Sequence, residues 1–270
     1  MRKYELIKVE PHNGIVQVTL NRPEVRNAFN SQMVVELCAV FQELGQDQNV
    51  RAIVIAGAGP IFCAGLDLRW VASTDGKNQA QWLQEAEHLT QMYQAIDKCP
   101  CPVVGRVHGS AFGGGVGIVA SCDVVVASEE AQFALREVRV GLVPAVIAPY
   151  LLRKLGFSWT SRYSLTGEPF SARMAQTMGL VHEVVPAEEL DSHIQILSNQ
   201  FLQVGPQAVR ETKFLLRRLL TLPDQDRWSF CAQTNARICG TPEAQEGLQA
   251  FVEKRLPTWV KESSQIGASG

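Results

Sequence analysis

The 270-residue chain carries little excess charge of either sign, since 25 Lys and Arg against 27 Asp and Glu leave a formal net charge of −2. Without a long basic run there is no electrostatic footprint for nucleic acid or for an anionic membrane, so a small-molecule partner is expected. Apolar runs are short as well, and none reaches the length of a membrane span. The seven cysteines form no CxxC pair, and only Cys99 and Cys101 lie close together. That usage fits free thiols in a reducing compartment and argues against a disulfide framework or a zinc site. "MRKYELIKVE" enters a polar–apolar alternation at once and "SSQIGASG" is no peroxisomal tripeptide, so a cytoplasmic location without a targeting segment is expected. Tandem repeats and low-complexity stretches are also missing.

Against those absences, 46% of the residues are hydrophobic, enough for one large core or for a core with an appendage. "YELIKVE" and "IVQVTL" flank Asn13-Gly14, two residues that tolerate positive φ and mark a hairpin. In "SQMVVELCAVFQEL", Met33, Leu37, Val40 and Leu44 recur at helical spacing, with Asn30 as the expected N-cap. "RAIVIAG", "PVVGRVHG" and "DVVVAS" read as short buried strands, and the segment from Lys77 to Lys98 as a surface helix. Beyond Phe157 strand signal nearly vanishes, and four or five helical stretches follow. The chain is therefore expected to be α/β, with a core over residues 1–200 and a helical region over 201–270.

Glycine is concentrated in one place. "HGSAFGGGVGIVASCD" puts four glycines into five positions, Gly113 to Gly117, immediately before a helical stretch. Gly115 to Ala120 fits G-x-G-x-x-A, and Glu137 lies 20 residues past Gly117, yet a dinucleotide fingerprint opens its fold and is followed by further βα units. Here it sits in mid-chain. A phosphate loop is excluded because no Gly-Lys-Ser/Thr follows. Close packing of a helix on a strand would also use such glycines. The remaining reading is a helix N-terminus whose bare N–H groups face a reacting carbonyl oxygen. A second donor is available at Leu66, which follows a glycine in "FCAGLDL".

"IFCAGLDL", "VHGSAFGGGVGIVASCDVVVAS" and "AQFALREVRVGLVPA", with "LNRPEVRNAFN", "LTGEPFSARMAQTMGLVHEVVP" and "FVEKRLPTW", resemble the crotonase family, also called the enoyl-CoA hydratase/isomerase superfamily. The resemblance implies a spiral of ββα units with a helical trimerisation region, assembled as a homotrimer or homohexamer, and an acyl-CoA ligand with no separate cofactor. It implies that Leu66 and Gly114 supply the two N–H donors for the thioester oxygen. Gly117 stands where the hydratase branch carries its first acid, and Glu137 stands at the second.

A lone acid there resembles Δ3,Δ2-enoyl-CoA isomerases and also hydratases of 3-methylglutaconyl-CoA or isohexenylglutaconyl-CoA, in leucine or terpenoid breakdown. "LREVRVGLVPAVIAPYLLRKLG" is closer to the second group. Arg26, Phe251 and Lys254 match positions that meet CoA, the last two from a neighbouring subunit. Ala64 and Asp67, beside Leu66, and Gly117 are expected to contact substrate. A second substrate carboxylate would need a cation, for which Arg69, Arg136 and Arg139 are placed. Trp70, Trp82, Met92, Val143 and Ile147 are candidates for the acyl-tail wall, and the small Gly117 is expected to leave room there. Loss of the first acid also allows a non-catalytic binding protein, for instance one recruited to RNA. His108 reads as a strand-end histidine held by backbone, and Asp123 as an anchor for "DVVVAS".

Overall fold

A computed structural model describes residues 3–72 and 76–260. The chain divides into two compact units, Met1–Gln195 and Ile196–Gly270.

The first unit starts with a hairpin, β1 (Ile7–His12) and β2 (Ile15–Leu20). Asn13 and Gly14 make its turn at φ 49° and 84°, the positive values a two-residue hairpin requires. β2 then pairs in parallel with β3 (Ala52–Gly57), β3 with β4 (Val103–Val107), β4 with β6 (Val124–Ser128) and β6 with β9 (Glu183–Val185). The resulting sheet has the order β1-β2-β3-β4-β6-β9. Its inner strands are mostly Val, Ile and Ala and largely buried on both faces, as parallel strands covered by helices must be, with the part-buried Arg106 of β4 an exception.

Helix α1 (Ser31–Gln46) joins β2 to β3, and the Asn30 side chain accepts the Met33 N–H at 3.1 Å as its N-cap. Helices α2 (Leu68–Ala72) and α3 (Gln79–Asp97) join β3 to β4, and α3 starts in a reciprocal cap between Asn78 and Gln81. Helix α4 (Gly114–Ser121) joins β4 to β6. Asp123 accepts the Val103 N–H at 2.8 Å, tying β6 to β4 where both begin.

A smaller sheet, β5-β7-β8, is built from Ala111–Phe112, Gln132–Ala134 and Pro169–Ser171. β8 and β9 both lie beyond Phe157, where strands were not expected. Each is three residues long, too short to show an alternation, and each is fixed by pairing with β7 or β6. Helices α5 (Ala148–Thr166), α6 (Ala172–Thr177) and the first part of α7 (Leu190–Gln203) complete this unit.

The second unit holds the rest of α7 with α8 (Pro206–Leu219), α9 (Asp224–Cys239) and α10 (Pro242–Glu253). Glu243 accepts the N–H groups of Gln207 and Ala208 at 2.9 and 2.8 Å, capping the first turn of α8. Arg237 grips Glu211 with two hydrogen bonds of 3.0 and 2.7 Å, joining α9 to α8.

Candidate active site

Three backbone segments meet at the C-terminal end of the large sheet. Phe29 N–H donates to the Gly65 carbonyl at 2.9 Å, and Asp67 N–H donates to the Phe29 carbonyl at 3.1 Å. In this parallel bridge the Leu66 N–H points the other way. On its far side the same loop pairs with β5: Cys63 N–H donates to Ser110 at 3.2 Å and Phe112 N–H to Cys63 at 2.9 Å. Chain segments 27–29, 63–67 and 110–114 thus lie edge to edge. Among the described residues, neither the Leu66 nor the Gly114 N–H donates a hydrogen bond.

The glycines make that closeness possible. A β-carbon on Gly65, whose φ is +88°, would sit 2.5 Å from the Phe112 oxygen and 2.9 Å from the Gly114 nitrogen. One on Gly115 would sit 2.5 Å from the Cys63 carbonyl oxygen. Gly114 was expected to be bare for the ligand's sake. Its side-chain position is instead filled from within, 2.5 Å from Phe29 Cζ and 2.7 Å from the Tyr93 hydroxyl.

The Glu137 carboxylate stands beside this junction. Its Oε1 lies 3.1 Å from where a β-carbon on Gly113 would be. Oε2 is buried without a hydrogen-bond partner. Burial holds the Glu137 pKa above the ordinary glutamate value, tempered by its own backbone N–H. An acid kept in that condition gives and takes protons nearer neutral pH than a solvated one does.

Gly117 does not open a space. Its β-carbon position is occupied by Ile147 Cγ2 and lies 2.9 Å from Tyr93 Cε1, so the room expected there for a branched substrate is filled. Ile147 at 1% exposure and Met92 at 0% are core residues, not a pocket lining, while Val143 is 72% exposed. Trp70 and Trp82 flank the Lys77 ammonium, each with its ring 5.1 Å away, and Lys77 pairs with Glu85 at 3.1 Å.

The other expected contact residues separate by environment. Asp67 spends both carboxylate oxygens internally. Oδ1 accepts the N–H groups of Arg69 and Trp70 at the start of α2, and Oδ2 pairs with Arg22 at 3.1 Å. It braces the loop. Arg26 is exposed at φ 58°, and its carbonyl accepts the Ala64 N–H at 2.9 Å, which sets these two residues side by side. Arg139 is bonded to the Gly167 carbonyl at 2.9 Å. Arg136 is exposed and stacks its guanidinium 4.0 Å from the Phe112 ring, against the donor loop. Arg69 is exposed on α2. Phe251, at 83% exposure, and Lys254, at φ 55°, end α10 in the second unit. His108 meets the Gly59 carbonyl through Nε2 at 2.7 Å, the backbone-held state expected of it.

Asn27 and Tyr93 carried no expectation. Asn27, fully buried at φ 55°, donates to the carbonyls of Ala58, Ile61 and Phe62 and accepts the Arg22 N–H. It folds the segment that delivers Leu66. The sequence signal for Tyr93 is the apolar phase of α3, where Met92, Tyr93 and Ile96 are buried.

The sequence profile of the enoyl-CoA hydratase/isomerase family matches residues 10–262. The chain belongs to that family. A putative enoyl-CoA hydratase of Thermus thermophilus is 32% identical over 252 residues, 93% of this chain and 99% of the relative. The 2,3-dehydroadipyl-CoA hydratase of Escherichia coli is 32% identical over 255 residues, 94% and 97% of the two chains. The crystal structure of an enoyl-CoA hydratase from Shewanella pealeana superposes with a TM-score of 0.91 at 33% identity, covering 95% of this chain and 97% of that one. Membership in the enoyl-CoA hydratase/isomerase family agrees with the crotonase resemblance read from the sequence. No described helix is long and apolar enough to cross a membrane.

Proposed function

We propose that this family member is a hydratase that adds water across the 2,3-double bond of an acyl-CoA thioester, using Glu137 as its acid–base group. The observation that carries the reading is the half-buried, partly unsatisfied Glu137 carboxylate stationed against Gly113, next to the two undonated N–H groups. Water adds its oxygen to C3 while Glu137 takes the proton it gives up, and the negative charge moves to the thioester oxygen. Leu66 and Gly114 N–H groups receive that charge, each worth about 3 kcal/mol in such sites. Glu137 then returns the proton to C2 and is regenerated. No separate cofactor enters the cycle.

The preferred substrate is a glutaconyl-type ester, 3-methylglutaconyl-CoA or isohexenylglutaconyl-CoA, whose second carboxylate is received by an arginine. With Gly117 closed off, this reading rests on Arg136, the cation stacked on the donor loop, and on the similarity to a hydratase named for a dicarboxylic acyl-CoA. An arginine–carboxylate pair is worth on the order of 2 kcal/mol, about thirtyfold in kcat/KM.

The test compares kcat/KM for crotonyl-CoA, trans-3-hexenoyl-CoA, 3-methylglutaconyl-CoA and a long-chain glutaconyl ester, in the wild type and in Glu137→Gln. Hydration of the glutaconyl esters at least about thirtyfold faster than of crotonyl-CoA supports the full reading. Conversion of the 3-enoyl ester to its 2-enoyl isomer with no water gained establishes the isomerase, which a single carboxylate also allows. No turnover of any ester, together with RNA affinity that persists in Glu137→Gln, favours a binding protein.

A further inference from the structure

We propose that Tyr93 is a positioning residue of this site, its phenol clamping the glycine run so that the Gly114 N–H is held toward the substrate carbonyl. This rests on the assignment of Gly114 as a donor above. Three consecutive glycines, Gly113 to Gly115, make the least constrained backbone a chain can offer. A donor aimed at developing charge has to be rigid before the reaction starts. Something must therefore hold that run.

The peptide that carries the Gly114 N–H is fixed from both sides. Ahead of it, Gly113 N–H donates to the Ala134 carbonyl at 2.8 Å. Its own carbonyl, that of Gly113, accepts the N–H groups of Val116 and Gly117 at 2.9 and 3.3 Å, which are bonds of α4 itself. Behind it, the Tyr93 hydroxyl donates to the Gly114 carbonyl at 2.9 Å. This last bond is a side-chain bond brought in from another element, α3, to the first turn of α4.

Tyr93 is itself tightly packed. It is 1% exposed, its hydroxyl shares the side-chain position of Gly114 with Phe29, and its ring edge borders that of Gly117 beside Ile147. One turn further along α3, Asp97 pairs with Arg153 of α5, so α3 is anchored where Tyr93 leaves it. Burial, with the neighbouring Cys63, Glu137 and Tyr150, pushes the phenol pKa upward, and the hydroxyl stays a donor throughout the working range. The same side chain closes the space beside Gly117 and steadies the donor.

Tyr93→Phe keeps the ring and removes the bond. The expected result is a kcat lower by about fivefold, the equivalent of one ordinary hydrogen bond, with KM for the acyl-CoA within twofold of wild type. A bound cinnamoyl-CoA chromophore supplies a second readout, because a carbonyl polarised by the two N–H groups shifts its absorption to the red. That shift should shrink in Tyr93→Phe. Tyr93→Met, apolar and lacking the donor, repeats the test if the Phe variant does not fold. Wild-type kcat and an unchanged red shift in a folded variant overturn the role of Tyr93 alone. Absence of any red shift in the wild type overturns the donor assignment beneath it.

Discussion

Gly113 and Glu137 face each other so closely that a β-carbon on the glycine would stand 3.1 Å from the carboxylate oxygen. Gly113 sits at φ 50° and ψ −120°, a backbone state that side chains rarely adopt, and a β-carbon there would also crowd the acid, which burial leaves short of solvent.

That desolvation has a measurable sign. The Glu137 pKa is raised in the folded chain, so folded protein holds more protons than unfolded protein between the ordinary carboxylate pKa and the raised one. Stability therefore falls as pH rises across that window, and the full penalty is present once the pH is above the raised pKa. Glu137→Gln removes the penalty. Its Tm should exceed that of wild type at neutral pH, with the gap closing as pH drops into the ordinary carboxylate range. Its kcat should fall by about 10³-fold, and the acid limb of the wild-type rate profile should lie above the ordinary carboxylate range. A Tm below wild type at neutral pH counts against a strained, functional carboxylate.

Gly65 tests the donor pair from the opposite loop. Alanine there meets a positive φ and the Phe112 oxygen at 2.5 Å, so the backbone must shift where Leu66 and Gly114 come together. Gly65→Ala is expected to lose about 10²-fold in kcat and more than about 1 kcal/mol in denaturant stability. A variant that loses the stability but keeps kcat separates the packing of this loop from the chemistry.

Much of this was legible in the residues. Asn13-Gly14 and the Asn30 cap obey local rules and formed as read, and the Asp123 anchor formed too, its partner lying on the neighbouring strand at Val103. The loop carrying Leu66 and the glycine run carrying Gly114 each showed as a strand end running into a helix. What stayed hidden depends on distant neighbours. No local rule says that Phe29 and Tyr93 fill the side-chain space of Gly114, or that Ile147 fills that of Gly117. Asn27 is a turn-former by composition, and its service to three carbonyls of another loop appears only in three dimensions. β8 and β9 exist through partners far away in sequence.

The end of α10 is expected to serve a neighbouring subunit. Phe251, at 83% exposure, and Lys254 would then cover the CoA of an adjacent copy in a trimer or hexamer. Phe251→Ala with Lys254→Ala should raise KM for acyl-CoA by about tenfold, as loss of one charged hydrogen bond would, and leave kcat within twofold. Sedimentation should give three or six chains. A monomer with unaltered KM contradicts the assignment.

The last test concerns the missing acid. A glutamate at Gly117 would look, from the sequence, like the simplest way to give this site two carboxylates. The packing forbids it. Ile147 Cγ2 occupies the β-carbon position, Ile147 Cβ is 3.0 Å away and Tyr93 Cε1 2.9 Å, and both residues are 1% exposed. A well-packed core charges about 1–3 kcal/mol for an added methylene, so Gly117→Ala alone should lower denaturant stability by that amount. Gly117→Glu adds a buried charge to the clash and should not accumulate as folded protein. Trimming Ile147 to alanine opens the space, so Gly117→Ala combined with Ile147→Ala should be less unstable than the sum of the two changes, with a coupling of about 1 kcal/mol or more. Strict additivity, or a Gly117→Ala protein as stable as wild type, would show that Ile147 and Tyr93 yield and that the single-carboxylate site is not enforced by packing.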